Sequence, residues 1–413
     1  MKIALFILGV IILIYWVREL WLHSKMSGLN HYFFPVLALK VIAGISFGLI
    51  YHFHYQGGDT MGFHEGAVQL SNRFYTDFFD YFRLLFIEGE FSYFNEPRSD
   101  FFTRMLSVFY LASFSNYWIA TAFLSITSFA LIWAFIVRFS DAMEIDSRVA
   151  LVAFLIFPSV IFWTSGIVKE TVSFALQSII LWSVVPLAKS QKIRFWDLMI
   201  GIISMWLLFQ IKYYHAAILS LILAPAILYF RLGAINSNLT KSIILASSVL
   251  LILIALGESY YNLNFTRVGD IIVKNHNLLL QKSSPEKAII LEGFDNSVIG
   301  YLLSFPEAIF SGLFRPLPWE AWNLSSLTVS VENLIILILF LYIFRYWKFI
   351  FSPRSIQYIP VIVFVLSMAT LIAFSTPNFG TLARYKVVYM PFFLTIILNQ
   401  FPLFRNKKIH TSN

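Results

Sequence analysis

Eleven stretches of this chain are apolar over close to the length that a bilayer demands. They are 3–20, 33–54, 117–137, 149–164, 168–188, 196–211, 215–230, 242–257, 332–347, 357–374 and 386–404. A hydrocarbon core takes about 20 apolar residues per helix. A crossing segment must also satisfy its own backbone polar groups, which leaves helices as the ordinary solution. The pattern therefore predicts an all-α polytopic membrane protein with about eleven transmembrane helices, built as one integral-membrane domain over 1–413. Composition agrees. Charged residues are 13% of the chain, about half the roughly 25% of a soluble domain. A mean hydropathy of +0.75 does not fit inside a water-soluble globule of this length. The absence of cysteine excludes disulfides, thiolate metal sites and a cysteine nucleophile.

The net charge of +8 reads as the Lys/Arg excess that orients a membrane protein, not as a nucleic-acid surface. The first run is followed by Arg18-Glu19 where a cleavable signal would carry small residues, so it is expected to stay as an anchor. With the 21–32 connection inside, fifteen basic residues fall in inner segments. Nine fall in outer ones once 258–330 is set aside, because long loops escape the rule. This predicts a cytoplasmic C-terminus, an outer N-terminus and an active face turned outward. The expected setting is a bacterial cytoplasmic (inner) membrane.

Two long segments, 55–104 and 258–330, interrupt the weave on the outer side. Loops of that length are usually functional. The first opens His54-Tyr55-Gln56-Gly57-Gly58-Asp59-Thr60. Asp59 then lies close to the membrane surface, where a carboxylate can act as general base toward a hydroxyl or ligate a divalent cation. Its plain structural role would be to cap the next helix. His64 and Glu65 follow as further acid–base candidates. Phe74, Phe78, Phe82 and Phe86 recur every four residues and predict an amphipathic helix in the interface.

Other ionisable residues gather at the same outer boundary. Pro158 to Glu170 makes a tight turn in which Thr164 or Ser165 would cap the returning helix, with Lys169 and Glu170 in its first turn. Charges at membrane depth are costly and tend to be functional. Lys212 lies in another tight turn and can reach an anionic headgroup or snorkel. The run 297–314 contains Pro306 and Glu307, which favours a helix or re-entrant piece on the outer face over a span. It leads to Arg315-Pro316-Leu317-Pro318-Trp319-Glu320, where Arg315 can grip a phosphate and Trp319 can stack on a sugar or anchor at the interface. Arg384-Tyr385-Lys386 opens the last run, two cations at a helix start against the dipole, which points to an anionic partner. These charges are expected to converge on one outer cavity suited to a phosphorylated lipid carrier.

Three of these motifs resemble the GT-C superfamily of integral-membrane glycosyltransferases, in the branch related to protein mannosyltransferases (glycosyltransferase family 39-like). Gly57-Gly58-Asp59-Thr60 is similar to the acidic motif that carries the catalytic base. Pro158…Lys169-Glu170 resembles the family's paired-helix motif, and Arg384 to Phe392 its late "RYxxPxxPF" segment, with Val388 at the first Pro position. The resemblance implies a sugar donor linked to polyprenyl phosphate, a glycan, lipid or protein acceptor, and inversion by direct displacement. It implies Asp59 as base, and Lys212, Arg315, Arg384 and Lys386 around the donor phosphate. Lys169, Glu170, Trp319, Glu320 and Tyr385 would shape the cavity. Relatives often carry an acidic pair where this chain has Asp59-Thr60, so any Mg or Mn ion would fall to Asp59 and Glu65.

Two other classes fit parts of the pattern. An O-antigen or polysaccharide polymerase or ligase would use Arg315, Arg384 and His276. A lipid or polysaccharide transporter would explain Lys40 inside the second run, which inward snorkelling also explains. The early Gly-Gly-Asp loop favours the transferase, and charges at the boundary instead of the midplane disfavour the transporter.

Overall fold

The computed structural model describes all residues except 26–27, 88, 190, 233–236, 345–357 and 402–413. Arg345, Lys348, Arg354, Arg405, Lys407 and Lys408, which entered the inner-side count, lie outside the described residues. So do the ends of the last three apolar runs. The described chain is all-α; its one extended pairing is an isolated bridge between Ala288 and Asn378.

The chain divides into two compact units. The first comprises Met1–Ala142, Ala150–Val185 and Ile193–Tyr213. It holds α1 (Lys2–Ser24), α2 (Asn30–Leu49), α3 (Asp59–Thr76), α4 (Phe78–Phe86), α5 (Pro97–Leu111) and α6 (Tyr117–Ala142). It also holds α8 (Pro158–Trp163), α9 (Lys169–Val184) and α10 (Phe195–Ile211), while the short α7 (Ser147–Leu151) is divided between the two units. The second unit holds α11 (Tyr213–Arg231), α12 (Asn238–Ser259), α13 (Val268–Lys282), α14 (Val298–Phe314), α15 (Leu324–Phe344), α16 (Ile359–Ser375), α17 (Phe379–Tyr385) and α18 (Met390–Leu398).

Among the described residues, six helices are long and apolar enough to cross a membrane: Lys2–Ser24, Asn30–His54, Tyr117–Ala142, Lys169–Leu187, Leu239–Ser259 and Leu324–Ile343. The chain has the make-up of a multi-pass membrane protein. The other runs form shorter or broken helices, and each break has a local cause. The run 149–164 stops at Phe157, because Pro158 has no N–H to continue the ladder and begins α8 instead. The last run divides before Pro391. Phe379–Val388 and Met390–Leu398 meet at 66°, and together they would make a seventh crossing. Val298–Phe314 is one continuous helix of 17 residues through Pro306.

In the first unit α6 and α10 both pack on α9, and α2 packs on α6. Phe33 meets Phe129 and Trp133 edge-on, with centroids 5.2 and 4.8 Å apart. The α2–α6 approach is close because Gly44 presents no Cβ. One built there would run into the Ser125 hydroxyl and come within 2.8 Å of the Ser165 carbonyl. Overpacking of this kind costs about 1–3 kcal/mol. Lys40, one turn earlier on α2, is fully buried and donates to the Thr164 carbonyl at 2.5 Å and its hydroxyl at 2.6 Å. It does not snorkel to a surface. α1 is different: Ile3, Ile7, Leu8 and Ile11 are all exposed, as a lipid-facing helix requires.

The aromatic stripe of the 55–104 segment is not one helix. α3 ends at Thr76, and Asp77 turns the chain and caps α4 by accepting from the Asp80 N–H at 3.0 Å. An Asp able to bond its own downstream backbone favours a cap over a helix interior. The rings still stack in series, Phe74 on Phe78, Phe78 on Phe82 and Phe82 on Phe86. Phe78, Phe79 and Phe86 stay exposed.

In the second unit α14 packs along α16, with Gly312 against the Ala369 backbone. The Tyr389 hydroxyl donates to the Gly312 carbonyl at 2.6 Å. Phe314, Phe340 and Phe393 close the cluster.

Candidate functional site

Asp59 is placed by the end of the second crossing. The α2 ladder loosens to a π-helical turn over Ile50–His54, and Gly57 and Gly58 follow at φ 152° and 104°. Only glycine takes those angles without steric cost. Gly58 is the N-cap residue of α3, so Asp59 is not the cap; it is the exposed acid of the first turn, where the helix dipole favours a negative charge. Phe63 lies one turn further on the same side, buried, and the Lys169 ammonium sits 5.7 Å from the centre of its ring.

Lys169 begins a chain of paired charges. It donates to Glu96 at 3.1 Å and to the Ser99 hydroxyl at 2.7 Å. Glu96 caps α5, accepts from the Ser99 backbone and hydroxyl, and pairs with Arg98 at 2.6 Å. Burial alone would raise the Glu96 pKa. Ser99, Lys169 and Arg98 outweigh it and lower it to about 2. Arg98 covers the Tyr213 ring at 5.6 Å. Next to Lys169, Glu170 is fully buried and takes a 2.7 Å bond from Lys212, itself nearly buried. The first unit thus gathers Asp59, Lys169, Glu170 and Lys212 with Glu96 and Arg98, which the sequence reading missed. Glu96-Pro97 does read as a helix start, but nothing local announces a partner 73 residues away.

The Lys169-Glu170 helix start differs from expectation. Val168 is the N-cap residue of α9 and makes no side-chain cap. Thr164 and Ser165 close the preceding helix instead, returning their hydroxyls to Val160 and Ile161. His64 is half-buried, 2.7 Å from the Tyr110 hydroxyl through Nδ1. Burial lowers its pKa, and the neighbouring Glu65 charge opposes that. Glu65 accepts from the Tyr93 hydroxyl at 2.7 Å. Asp59 and Glu65 are six residues apart on α3, about 9 Å along the axis and on different faces. A divalent ion shared by the two would have to lie between those faces. No group of three His, Cys, Asp or Glu among the described residues has the arrangement to hold one.

The remaining candidates lie in the second unit. Arg315 pairs with Glu320 at 2.5 Å and with Glu307 at 3.7 Å. Glu320 also accepts from the Leu317 N–H at 2.8 Å and so closes the Pro318–Glu320 turn. Trp319, beside it, is 74% exposed. Lys386 is buried and donates to the Arg315 carbonyl and to Asn333 Oδ1, at 3.0 and 3.1 Å. Arg384 and Lys386 do not open a helix. They fall in the last turn and at the C-cap of α17, where the dipole favours cations. Arg384 lies over Tyr385 at 6.0 Å. His276 is buried and bonded through Nδ1 to the Phe374 carbonyl at 2.8 Å; burial lowers its pKa, partly offset by that bond.

No family model, curated protein or solved structure matches this chain. Function therefore has to be argued from the site itself.

Two predictions follow from the charge chain. Breaking a buried pair by removing one partner costs about 3–5 kcal/mol, whereas replacing both by apolar groups of similar size is often neutral. Lys212→Met should sharply lower the thermal stability of the detergent-solubilised protein, and adding Glu170→Leu should recover most of the loss. A double variant no more stable than Lys212→Met would show that the pair is not energetically linked. Glu96 gives a pH signature. Its pKa falls from 4.5 to about 2 on folding, so its contribution is complete above pH 4.5 and is lost as pH drops from there toward 2. Melting temperature against pH should fall across that window, and Glu96→Gln should flatten the fall; an unaltered profile would remove Glu96 from the account.

Proposed function

We propose that this protein is a membrane glycosyltransferase of the GT-C type. In this reading it moves a sugar from a polyprenyl-phosphate-linked donor to a glycan, lipid or protein acceptor at the outer face of a bacterial cytoplasmic membrane, and up to eleven apolar helices cross. The observation that carries the reading is the position of Asp59. It is an exposed carboxylate on the first turn of α3, set by two glycines at the end of a crossing and one turn from the ring that Lys169 covers. A general base needs an accessible carboxylate on a fixed element, and a site for a charged donor needs cations close by.

In the proposed reaction the acceptor hydroxyl gives its proton to Asp59 as its oxygen bonds to the sugar C1. The C1–O bond to phosphate breaks on the opposite face, polyprenyl phosphate leaves with the electron pair, and the configuration inverts. Arg315 and Arg384 are half-buried cations of the second unit. Lys212 and Lys386 make their bonds inside the protein, to Glu170 and to Asn333 with the Arg315 carbonyl. We assign both to holding the frame.

The test is rescue in cells. The gene is deleted, lipid-linked and surface glycans are profiled by mass spectrometry, and wild type or Asp59→Asn is restored at matched membrane levels. The reading expects one sugar to be missing from the deletion strain, restored by wild type and not by Asp59→Asn. Full restoration by Asp59→Asn would remove Asp59 from the chemistry.

A further inference from the structure

Lys40 takes no part in the charge chain, yet it is the most deeply placed cation in the first unit. It is fully buried on α2, and its hydrogen bonds all go to one residue, Thr164. Thr164 closes α8 and begins the irregular stretch that ends at Lys169. That stretch has no helical ladder of its own, and α9 starts without a side-chain cap. Its position is set from outside. Ser125 on α6 donates to the Ser165 carbonyl at 2.6 Å, and Ser128 reaches the Thr164 carbonyl at 3.4 Å. Phe47 packs over Gly166, and Thr171 returns a 2.6 Å bond to the Gly166 carbonyl. Among the described residues Lys40 is the one lysine donor in this nest, and the Thr164 carbonyl has otherwise only the long Ser128 contact.

The consequence lies five and six residues downstream. Lys169 must meet Glu96 at 3.1 Å, and Glu170 must meet Lys212 at 2.7 Å. Both bonds depend on where the turn delivers the start of α9. A lysine nitrogen in an apolar interior is costly to bury without hydrogen-bond partners and is held to its acceptors once there. Burying a lysine merely to fill space would be a poor solution, since Met fills nearly the same volume at no electrostatic cost.

We propose that Lys40 is a positioning residue: by holding Thr164 from within the second crossing, it fixes the α8–α9 turn and so the placement of Lys169 and Glu170 beside Glu96 and Lys212. The inference deepens the transferase reading, since those charges flank the helix that carries Asp59, but its geometric claim stands without that reading.

Because the chain has no cysteine, the placement can be read directly. Glu96→Cys and Lys169→Cys are introduced together into the full-length protein in lipid nanodiscs, and cross-linking by a short bis-methanethiosulfonate reagent, which bridges thiols too far apart for a direct disulfide, is timed. The same pair is then combined with Lys40→Met, with Lys40→Arg and with Thr164→Val. Only proteins that elute as monodisperse particles and melt cooperatively are compared. The expected result is a several-fold slower cross-link in folded Lys40→Met and a rate near that of the parent in Lys40→Arg. Thr164→Val removes the hydroxyl acceptor but keeps the carbonyl, so it should slow the cross-link by an intermediate amount. It decides the matter if Lys40→Met does not fold. Unchanged cross-linking in folded Lys40→Met, or in Thr164→Val where the former does not fold, would overturn the proposal. Glycan profiles of the Lys40 variants in the otherwise native chain separate the two claims. If Asp59→Asn restores glycans while Lys40→Met slows the cross-link, the transferase reading fails and the positioning role stands.

Discussion

A charge removed from water must be given a partner, and the first unit is organised around that requirement. The Glu170–Lys212 bond joins two groups that water scarcely reaches. In surroundings of low dielectric such a pair is strong once made and expensive to half-make. It ties the first turn of α9 to the end of α10 across 42 residues of sequence. Lys169, the next residue along, ties the same turn to the start of α5. One helix start therefore holds three elements together by charge, with Lys40 holding the turn beneath it. Most other buried polar groups nearby are serines and threonines that return their hydroxyls to a carbonyl within their own helix. Ser173, Ser178 and Thr121 all do so. At the start of α9 it is charge that joins separate elements.

The 55–104 segment is fixed by the same logic at shorter range. Asp100 is buried at the start of α5 and accepts from the Tyr93 and Phe94 N–H groups at 2.9 and 2.8 Å. That carboxylate folds the 92–95 segment back on α3, seating Phe94 on Phe63 and Tyr93 against Gly66. Arg104 then reaches the Leu85 and Ile87 carbonyls at the end of α4. Asp59 is thus exposed but rides on a helix pinned along its length. A carboxylate asked to meet a substrate hydroxyl within hydrogen-bond reach needs that kind of support.

The fold class was legible because hydropathy is a sum over many residues, and no single misreading alters it. Among the described residues each apolar run contains helix, and six helices, or seven with the bent pair, are long and apolar enough to cross. Their breaks were partly legible too: Pro158 and Pro391 stand in the sequence as stop signals, but whether a proline kinks a helix or ends it depends on what packs beside it. Pro306 sits inside an unbroken helix. The site was less legible. Residue type and spacing singled out Asp59, Lys169, Glu170 and Lys212, and the structure does gather them in one unit. Pairings over long sequence separation have no local signature, so nothing in the sequence marks Glu96 and Arg98, and Lys40 fits a transporter's midplane charge as well as an inward-snorkelling lysine. The cations at 384 and 386 looked unfavourable only because the last helix was taken to begin at 386, when α17 in fact ends there.

The central claim is that Asp59 accepts the proton when a sugar leaves a polyprenyl phosphate. Its most direct test uses the purified full-length protein in lipid nanodiscs, supplied with a panel of polyprenyl-phosphate hexoses and a crude acceptor extract. Appearance of polyprenyl phosphate is followed by mass spectrometry. The account predicts that one donor is consumed by wild type, and that Asp59→Asn slows this by roughly 100-fold or more, the scale of a lost general base. Consumption at equal rates by wild type and Asp59→Asn would contradict it, as would no consumption of any donor by a wild-type preparation that restores the glycan in cells.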